Sequence, residues 1–168
     1  MLKIENNEFE IKFTEINIRQ RMYEGKSFIT LIITTEFFPS LVEENIVSGV
    51  IEVKLDLKNI ASFDDLIGKK FQGDIGNVMI SVNNDGIWEH QSQDQFEVSI
   101  KKKDGRHLEF TLKTDCCELD TIGTMVSLYT TSSSEEQLKD KFNLDDFYKK
   151  PTVKEVGNRK IMKYFVKQ

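Results

Sequence analysis

Strict alternation of apolar and charged residues over positions 51–58, IEVKLDLK, constrains the fold of this chain more than any other stretch. Each of its four aliphatic residues is followed by one charged residue, so in an extended backbone the four share one face. A strand with one apolar and one charged face is typical of an antiparallel sheet that covers a core on one side only. We therefore predict a mainly antiparallel β protein.

Two further stretches predict strands. Within 9–13 the apolar residues occupy the odd positions, but the next apolar residues, Ile16 and Ile18, occupy even positions. Because a one-residue shift turns every side chain to the other face, we predict a β-bulge near Thr14–Glu15. Positions 28–35, FITLIITT, are apolar or β-branched throughout and predict a strand covered on both faces.

The clearest hairpin pattern covers residues 95–114, where two alternating apolar arms flank an Asp-Gly turn signal. Directly opposed residues of a hairpin lie on the same face, so their apolar members must pair with each other. A three-residue loop over 103–105 satisfies this condition by pairing Ile100 with Leu108. We expect Gly105 to take the left-handed conformation that closes such a loop.

A second hairpin pattern covers residues 77–90, with Asn-Asp-Gly at its centre. The same parity argument predicts a three-residue loop over 84–86. That loop places Trp88 opposite Val82, in the core, and puts His90 on the same face.

Helix signals are few. Ser62 as N-cap and Gly68 as C-terminal stop predict one short helix near 63–67. A capping box that begins at Ser134 predicts one longer helix near 135–148.

The predicted fold class is mainly β with minor α (α+β), with antiparallel hairpins forming a sandwich or a partly open barrel. A length of 168 residues suits a single domain. Residues 1–129 are predicted to form its β-rich core. Residues 130–168 are predicted to form the longer helix and a terminal hairpin (153–156 with 160–166) packed on that core.

Composition disfavours several classes of partner. A net charge of −5 opposes binding to nucleic acid, which requires lysine and arginine against phosphates. The N-terminus carries charges throughout and has no apolar core of a signal peptide. The most apolar segment, 28–33, is far shorter than the ~20 residues that span a bilayer. We expect a cytoplasmic protein of a bacterial-type cell with no nucleic-acid or membrane partner.

Both cysteines stand side by side, as Cys116 and Cys117. Neighbouring residues of a strand face opposite ways, so the two thiols cannot hold one metal ion together. Parity places Cys116 in the core and Cys117 outside, on the face of His107. A Cys117–His107 dyad would need an electropositive setting, whereas the local charge is mixed.

The remaining polar clusters predict surface groups. Asp115, Glu118 and Asp120 are close in sequence, but nothing indicates the burial that an acid–base pair needs, and they are expected to solvate a strand end and turn. The basic cluster 101–107 lacks the aromatic residues of a single-strand binding surface and is typical of a solvated hairpin tip. We therefore predict no catalytic residue, no cofactor and no metal. The candidates, if a site exists, are His90, His107, Cys117, Asp115 and Glu118.

These observations favour a small protein-binding or inhibitory module without a catalytic site, such as an immunity-type partner of a toxin. Its protein partner is not identified by the sequence, and its oligomeric state stays open. Two alternatives are a barrel-like carrier of a small apolar ligand, for which the twelve phenylalanines leave room, and a structural subunit of a phage-type assembly.

Overall fold

The computed structural model describes residues 1–23, 26–57, 66–73, 76–105, 107–131, 152–156 and 159–165. These residues form thirteen strands that belong to one sheet. The strands are β1 (Leu2–Ile4), β2 (Asn7–Phe9), β3 (Ile11–Tyr23), β4 (Lys26–Val42), β5 (Asn45–Asp56), β6 (Lys70–Gln72), β7 (Gly76–Asn84), β8 (Ile87–Gln93), β9 (Phe96–Asp104), β10 (His107–Thr114), β11 (Cys117–Thr131), β12 (Thr152–Val156) and β13 (Arg159–Phe165).

The mainly β class is confirmed, and the predicted minor helical content is not seen among the described residues. The predicted helix near 135–148 lies outside them. Of the predicted helix near 63–67, only Leu66 and Ile67 are described; Leu66 lies in a 3₁₀ turn and Ile67 in the turn that follows it. Gly68, at a φ of 78°, donates its backbone N–H to Ile100 O at 2.8 Å, so the chain is drawn onto β9 at this point.

The main path of the sheet runs β6-β9-β10-β11-β3-β4-β5-β7-β8, and the sheet curls into an open half-barrel. This agrees with the partly open barrel and not with two separate stacked sheets. The β1–β2 hairpin and the β12–β13 hairpin lie off this path, and each attaches to β11 through β1 and β13. The β12–β13 hairpin confirms the predicted terminal hairpin.

One pairing in the sheet is parallel, that of β11 with β3, with Thr124 opposite Glu15 and Tyr129 opposite Arg19. The other described pairings are antiparallel. The sheet thus consists of two antiparallel halves, β6-β9-β10-β11 and β3-β4-β5-β7-β8, joined by the parallel pairing of β11 with β3.

The curl of the sheet follows from the short connection between β8 and β9. These two strands lie near opposite ends of the strand order, yet only residues 94–95 separate them in sequence. Three Cα–Cα steps reach at most about 11 Å, so Gln93 and Phe96 must lie close together in space. The two sides of the sheet therefore approach each other at this connection, and among the described strands β8 and β9 do not pair.

Alternation in β5 is confirmed, because Ile51, Val53 and Leu55 are fully buried on the inner face of the half-barrel. Burial of three consecutive residues in β4, 31–33, shows that both faces of this strand are covered at that point, whereas Thr30 and Thr34 are half-buried. The inner face carries the hydrophobic core.

The predicted bulge near Thr14–Glu15 is real but lies earlier. The register with β4 shifts between Ile11 and Phe13. Phe13 is therefore turned outward and is 37% exposed, whereas Thr14 is buried and bonds to the hydroxyl of Thr35 at 3.0 Å. The apolar pattern indicates that the register must shift by one residue. It does not locate the shift, because the inner-face position after it is taken by a polar residue, Thr14, which pairs with Thr35.

The register of the β9–β10 hairpin differs from the prediction. The connection has two residues, 105–106, and Asp104 lies opposite His107. A bulge at Lys101 then restores the parity, so Ile100 faces Phe110 and not Leu108. Gly105 does have a positive φ, 54°, as expected.

The β7–β8 hairpin also has a shorter turn than predicted. Asp85 and Gly86, both at positive φ (47° and 89°), form a two-residue connection of the kind that matches strand twist. Every partner in β8 therefore moves by one position, and Trp88 lies opposite Asn83 instead of Val82. The predicted core tryptophan is on the outer face and is 50% exposed.

Candidate functional site

A groove lies at the open seam of the half-barrel, between β8 and the β1–β2 hairpin. We call it the seam groove; its floor is formed by Phe9, Val47 and Ile80, and its rim by Glu5 and Glu89 with Gln91 and Cys116 beside them. Its volume is about 190 Å³. The floor residues are buried, so the groove opens from the hydrophobic core to solvent.

The pairing of β7 with β8 explains why the barrel stays open here. Val82 lies opposite Glu89 and Ile80 lies opposite Gln91, so the inner face of β8 presents polar side chains. A polar inner face gains nothing from closing over the core, because burial of unpaired polar groups is unfavourable. The seam groove is the result.

The turn between β10 and β11 contacts β8 across the seam. The Sγ atom of Cys116 lies 3.9 Å from Oε1 of Gln91. The hydroxyl oxygen of Thr114 fixes this turn by accepting the backbone N–H groups of Cys117 at 2.9 Å and of Cys116 at 3.3 Å.

The structure reverses the predicted positions of the two cysteines. Cys117 is buried in the core, while Cys116 is half-buried and lines the seam groove. Parity failed because Asp115 and Cys116 form the turn, so the alternation of β10 does not continue through them. Burial, and next the nearby Cys116 and Glu118, raise the pKa of Cys117 to about 12, so its thiol stays protonated at neutral pH.

Neither histidine shares a site with a cysteine: His107 is distant from both, and His90 lies on the opposite face of β8 from Gln91, which contacts Cys116. His107 begins β10 on the outer face, seven residues from Thr114, which is about 23 Å along a strand. Since Thr114 contacts Cys117, the His107 ring and the Cys117 thiol are far beyond hydrogen-bond reach. His90 lies on the outer face of β8, where its Nδ1 is 2.9 Å from the Ser81 hydroxyl.

The candidate carboxylates do not form an acid–base pair. Glu118 forms an ion pair with Lys113 at 3.1 Å, and Asp120 forms one with Lys101 at 2.9 Å. Asp115 is exposed in the β10–β11 turn. Each of the two strand carboxylates thus faces a lysine of the neighbouring β10 or of β9, and none is in a setting that suits general acid–base catalysis.

Within the ranges described by the structure, no three histidine, cysteine or acidic side chains come together as a metal-binding group. No helix in that part of the chain has the length and apolar character to cross a bilayer.

A second notable surface surrounds the free side of β8. Among the described strands only β7 pairs with β8, and six of the seven β8 residues are exposed. At the turn end of this strand three large apolar side chains are exposed, Ile46 (57%) and Trp88 (50%) on the outer face and Ile87 (69%) on the inner face, and we call them the apolar tip.

Hydrogen bonds hold the apolar tip together. The side chain of Asp85 accepts the backbone N–H of Ile46 at 2.8 Å, and the backbone N–H of Asp85 donates to Ile46 O at 3.1 Å. These bonds fix the end of the β4–β5 hairpin against the β7–β8 turn. Sequence reasoning missed this surface because it placed Trp88 inside; the Asp85-Gly86 dipeptide, read as a two-residue turn, was the signal that could have found it.

Comparison of the chain with protein-family models, with curated proteins and with solved structures finds no match.

Proposed function

We propose that this chain is a protein-binding module and that its partner docks by adding an extended segment to β8. The observation that supports this proposal is the exposed edge of β8 next to the apolar tip. An unpaired strand edge offers a row of backbone N–H and C=O groups to an incoming strand.

The two ends of the main path of the sheet differ in a way that favours β8. The strand at the other end, β6, has only three residues and carries Lys70, with Lys69 just before it. Short length and lysine are common means by which proteins block unwanted edge pairing. Strand β8, IWEHQSQ, has seven residues and contains neither lysine nor proline.

The apolar tip supplies the second part of the surface. Trp88 stacks on His90 with nearly parallel rings, 6.2 Å between centroids, and this arrangement holds the indole ring on the outer face. Tryptophan is enriched among residues that dominate binding energy at interfaces. Strand pairing with β8 would provide affinity, and contacts with Trp88, Ile87 and Ile46 would provide specificity.

Charge further restricts the partner. The chain has a net charge of −5, and β8 itself contributes Glu89 and neither lysine nor arginine. A basic partner would therefore associate faster than an acidic one. Neutralising a toxin, as an immunity protein does, is one role that such a stoichiometric module serves.

The proposal is tested with the pair of variants Trp88→Lys and Ile122→Lys. Both residues are apolar side chains exposed to a similar extent, 50% and 57%, but Ile122 lies on β11, which is an interior strand of the sheet. The tagged protein and both variants are isolated from the native cell under mild lysis, and hydrogen exchange of the β8 amides is compared with and without the recovered partner.

We expect a stoichiometric partner to be retained by the wild type and Ile122→Lys, lost by Trp88→Lys, and accompanied by protection of β8 amides. Recovery of the wild-type protein alone contradicts the proposal. So does a partner that binds Trp88→Lys normally and leaves the β8 amides unprotected.

A further inference from the structure

We propose that the seam groove binds a small amphipathic amine, that is, a primary ammonium group on a compact alkyl or aryl body. This inference goes beyond strand addition at β8: the groove lies on the same free side of β8, but it binds through side chains of the inner face and not through the backbone edge.

The floor of the groove determines the size of the apolar part. Phe9, Val47 and Ile80 form a buried, wholly apolar surface, with Val42 and Val82 at its sides. The groove volume of about 190 Å³ is slightly larger than an apolar cavity of about 150 Å³ that is known to hold benzene. A body of about six to eight carbon atoms therefore fits, whereas a fatty-acid chain or a folded peptide does not.

The rim determines the charge of the ligand. Glu5 and Glu89 both line the groove, and no lysine or arginine does. Within the described part of the chain neither carboxylate forms a salt bridge, in contrast to Glu97, which forms one with Lys70 at 3.0 Å. Both carboxylates are exposed at the rim, so they can accept charge-assisted hydrogen bonds from a cationic group of a ligand that lies on the apolar floor.

The remaining rim groups suit the same ligand. Asn7 and Gln91 each offer an amide oxygen, and an ammonium group donates three hydrogen bonds. A carboxylate ligand would be repelled by Glu5 and Glu89, and a neutral alcohol would leave both acids without a counter-charge. The arrangement therefore selects an amine over the alcohol or the acid that has the same apolar body.

The test uses benzylamine, benzyl alcohol and benzoate as probes of one shape and three charges. Each is titrated into the full-length, isotope-labelled protein, and backbone amide shifts are followed by NMR. The variants are Glu5→Gln and Glu89→Gln, with Glu118→Gln as the matched control, since it changes the net charge equally but lies on the outer face in an ion pair with Lys113.

We expect benzylamine alone to cause saturable shifts at residues that line the groove. Glu5→Gln or Glu89→Gln should weaken its binding about five- to tenfold, as expected for loss of a charge-assisted contact, and Glu118→Gln should leave it unchanged. The proposal is overturned if benzyl alcohol binds as tightly as benzylamine, if neither rim variant weakens binding, or if no saturable shift occurs in the groove. A protein that fails this test can still bind a partner at β8, so the two proposals fail separately.

Discussion

Replacement of Gly49 by alanine tests how the inner face of the half-barrel is packed. Gly49 lies opposite Phe37 in β4 and opposite Val82 in β7. A methyl group built there meets the backbone carbonyl oxygen of Ser81 and lies 2.8 Å from Cζ of Phe37. The Phe37 ring, 1% exposed and 4.8 Å from the ring of Phe9, thus occupies the space that a side chain at position 49 would need.

The expected cost combines two opposing effects. Forcing an extra methyl group into a packed core costs about 1–3 kcal/mol, and the clash with an immobile carbonyl places this site near the upper end. Lower entropy of the unfolded chain returns about 0.4–1 kcal/mol. We therefore expect Gly49→Ala to lower the free energy of unfolding by about 2 kcal/mol, measured by urea denaturation followed by far-UV circular dichroism.

A double-mutant cycle with Phe37→Leu separates the two clashes. Leucine removes the ring atoms that meet the new methyl group, so the double variant should be more stable than the sum of the single effects by about 1 kcal/mol. Full rescue is not expected, because the Ser81 carbonyl stays in place. Ser48→Ala on the outer face is the control and should change stability by less than about 0.5 kcal/mol. Strictly additive effects, or a Gly49→Ala variant as stable as the wild type, would refute this account of the packing.

Four further predictions concern single side chains. Thr114→Val removes the acceptor of two backbone N–H groups, one of them buried, and should cost about 1–3 kcal/mol in urea denaturation; no loss would show that the turn does not depend on this hydroxyl. A thiol reagent should modify Cys116 in the folded protein and spare the buried Cys117, so Cys116→Ser should abolish the fast reaction. Because the Cys117 pKa is raised from 9.0 to about 12, its thiol ionises first in the unfolded chain, and stability should fall as the pH rises above 9; a Cys117→Ala variant should lack that decline. Hydrogen bonds from Lys70 and then Gln72 lower the pKa of Glu97 below 4.5, so its contribution is present above that pH and is lost as the pH falls through the lowered value; NMR titration of the Glu97 carboxyl that gives an ordinary pKa would contradict this.

The alternation of apolar and polar residues was sufficient to predict most strands. Ile51, Val53 and Leu55 share the inner face as the pattern of β5 indicates, and the terminal hairpin forms where the sequence predicts it. These predictions depend only on the two-residue period of an extended chain, which does not change with tertiary context.

Turn lengths were predicted less well. An error of one residue in a turn assigns every side chain of the following strand to the wrong face of the sheet. Trp88 moved from the core to the surface because the connection is Asp85-Gly86 alone, and Cys117 moved into the core because the preceding two residues form a turn. The turn of the β9–β10 hairpin is also shorter than predicted, but the bulge at Lys101 shifts the register by one residue, so that Ile100 still lies opposite an apolar residue, Phe110. Local sequence does not fix the choice between such registers, because the cost of one bulge or turn is comparable to the energy difference between them.

The seam groove could not have been predicted from the sequence. It requires the sheet to curl until Gln91 in β8 approaches the turn that holds Cys116. That approach depends on the order of nine strands along the main path, and no local pattern encodes it.

The parallel pairing of β3 with β11 has a consequence for how the chain folds. Leu2 of β1 and Ile16 of β3 find their partners only at Leu119 and Met125, near the far end of the sheet-forming sequence. During synthesis the hairpins β3-β4-β5-β7-β8 can assemble early, but their open flank must wait until β11 leaves the ribosome. Pairings that span so much of the chain slow folding, so completion of the sheet is expected in milliseconds to seconds after release, with the joining of the two halves as its last step.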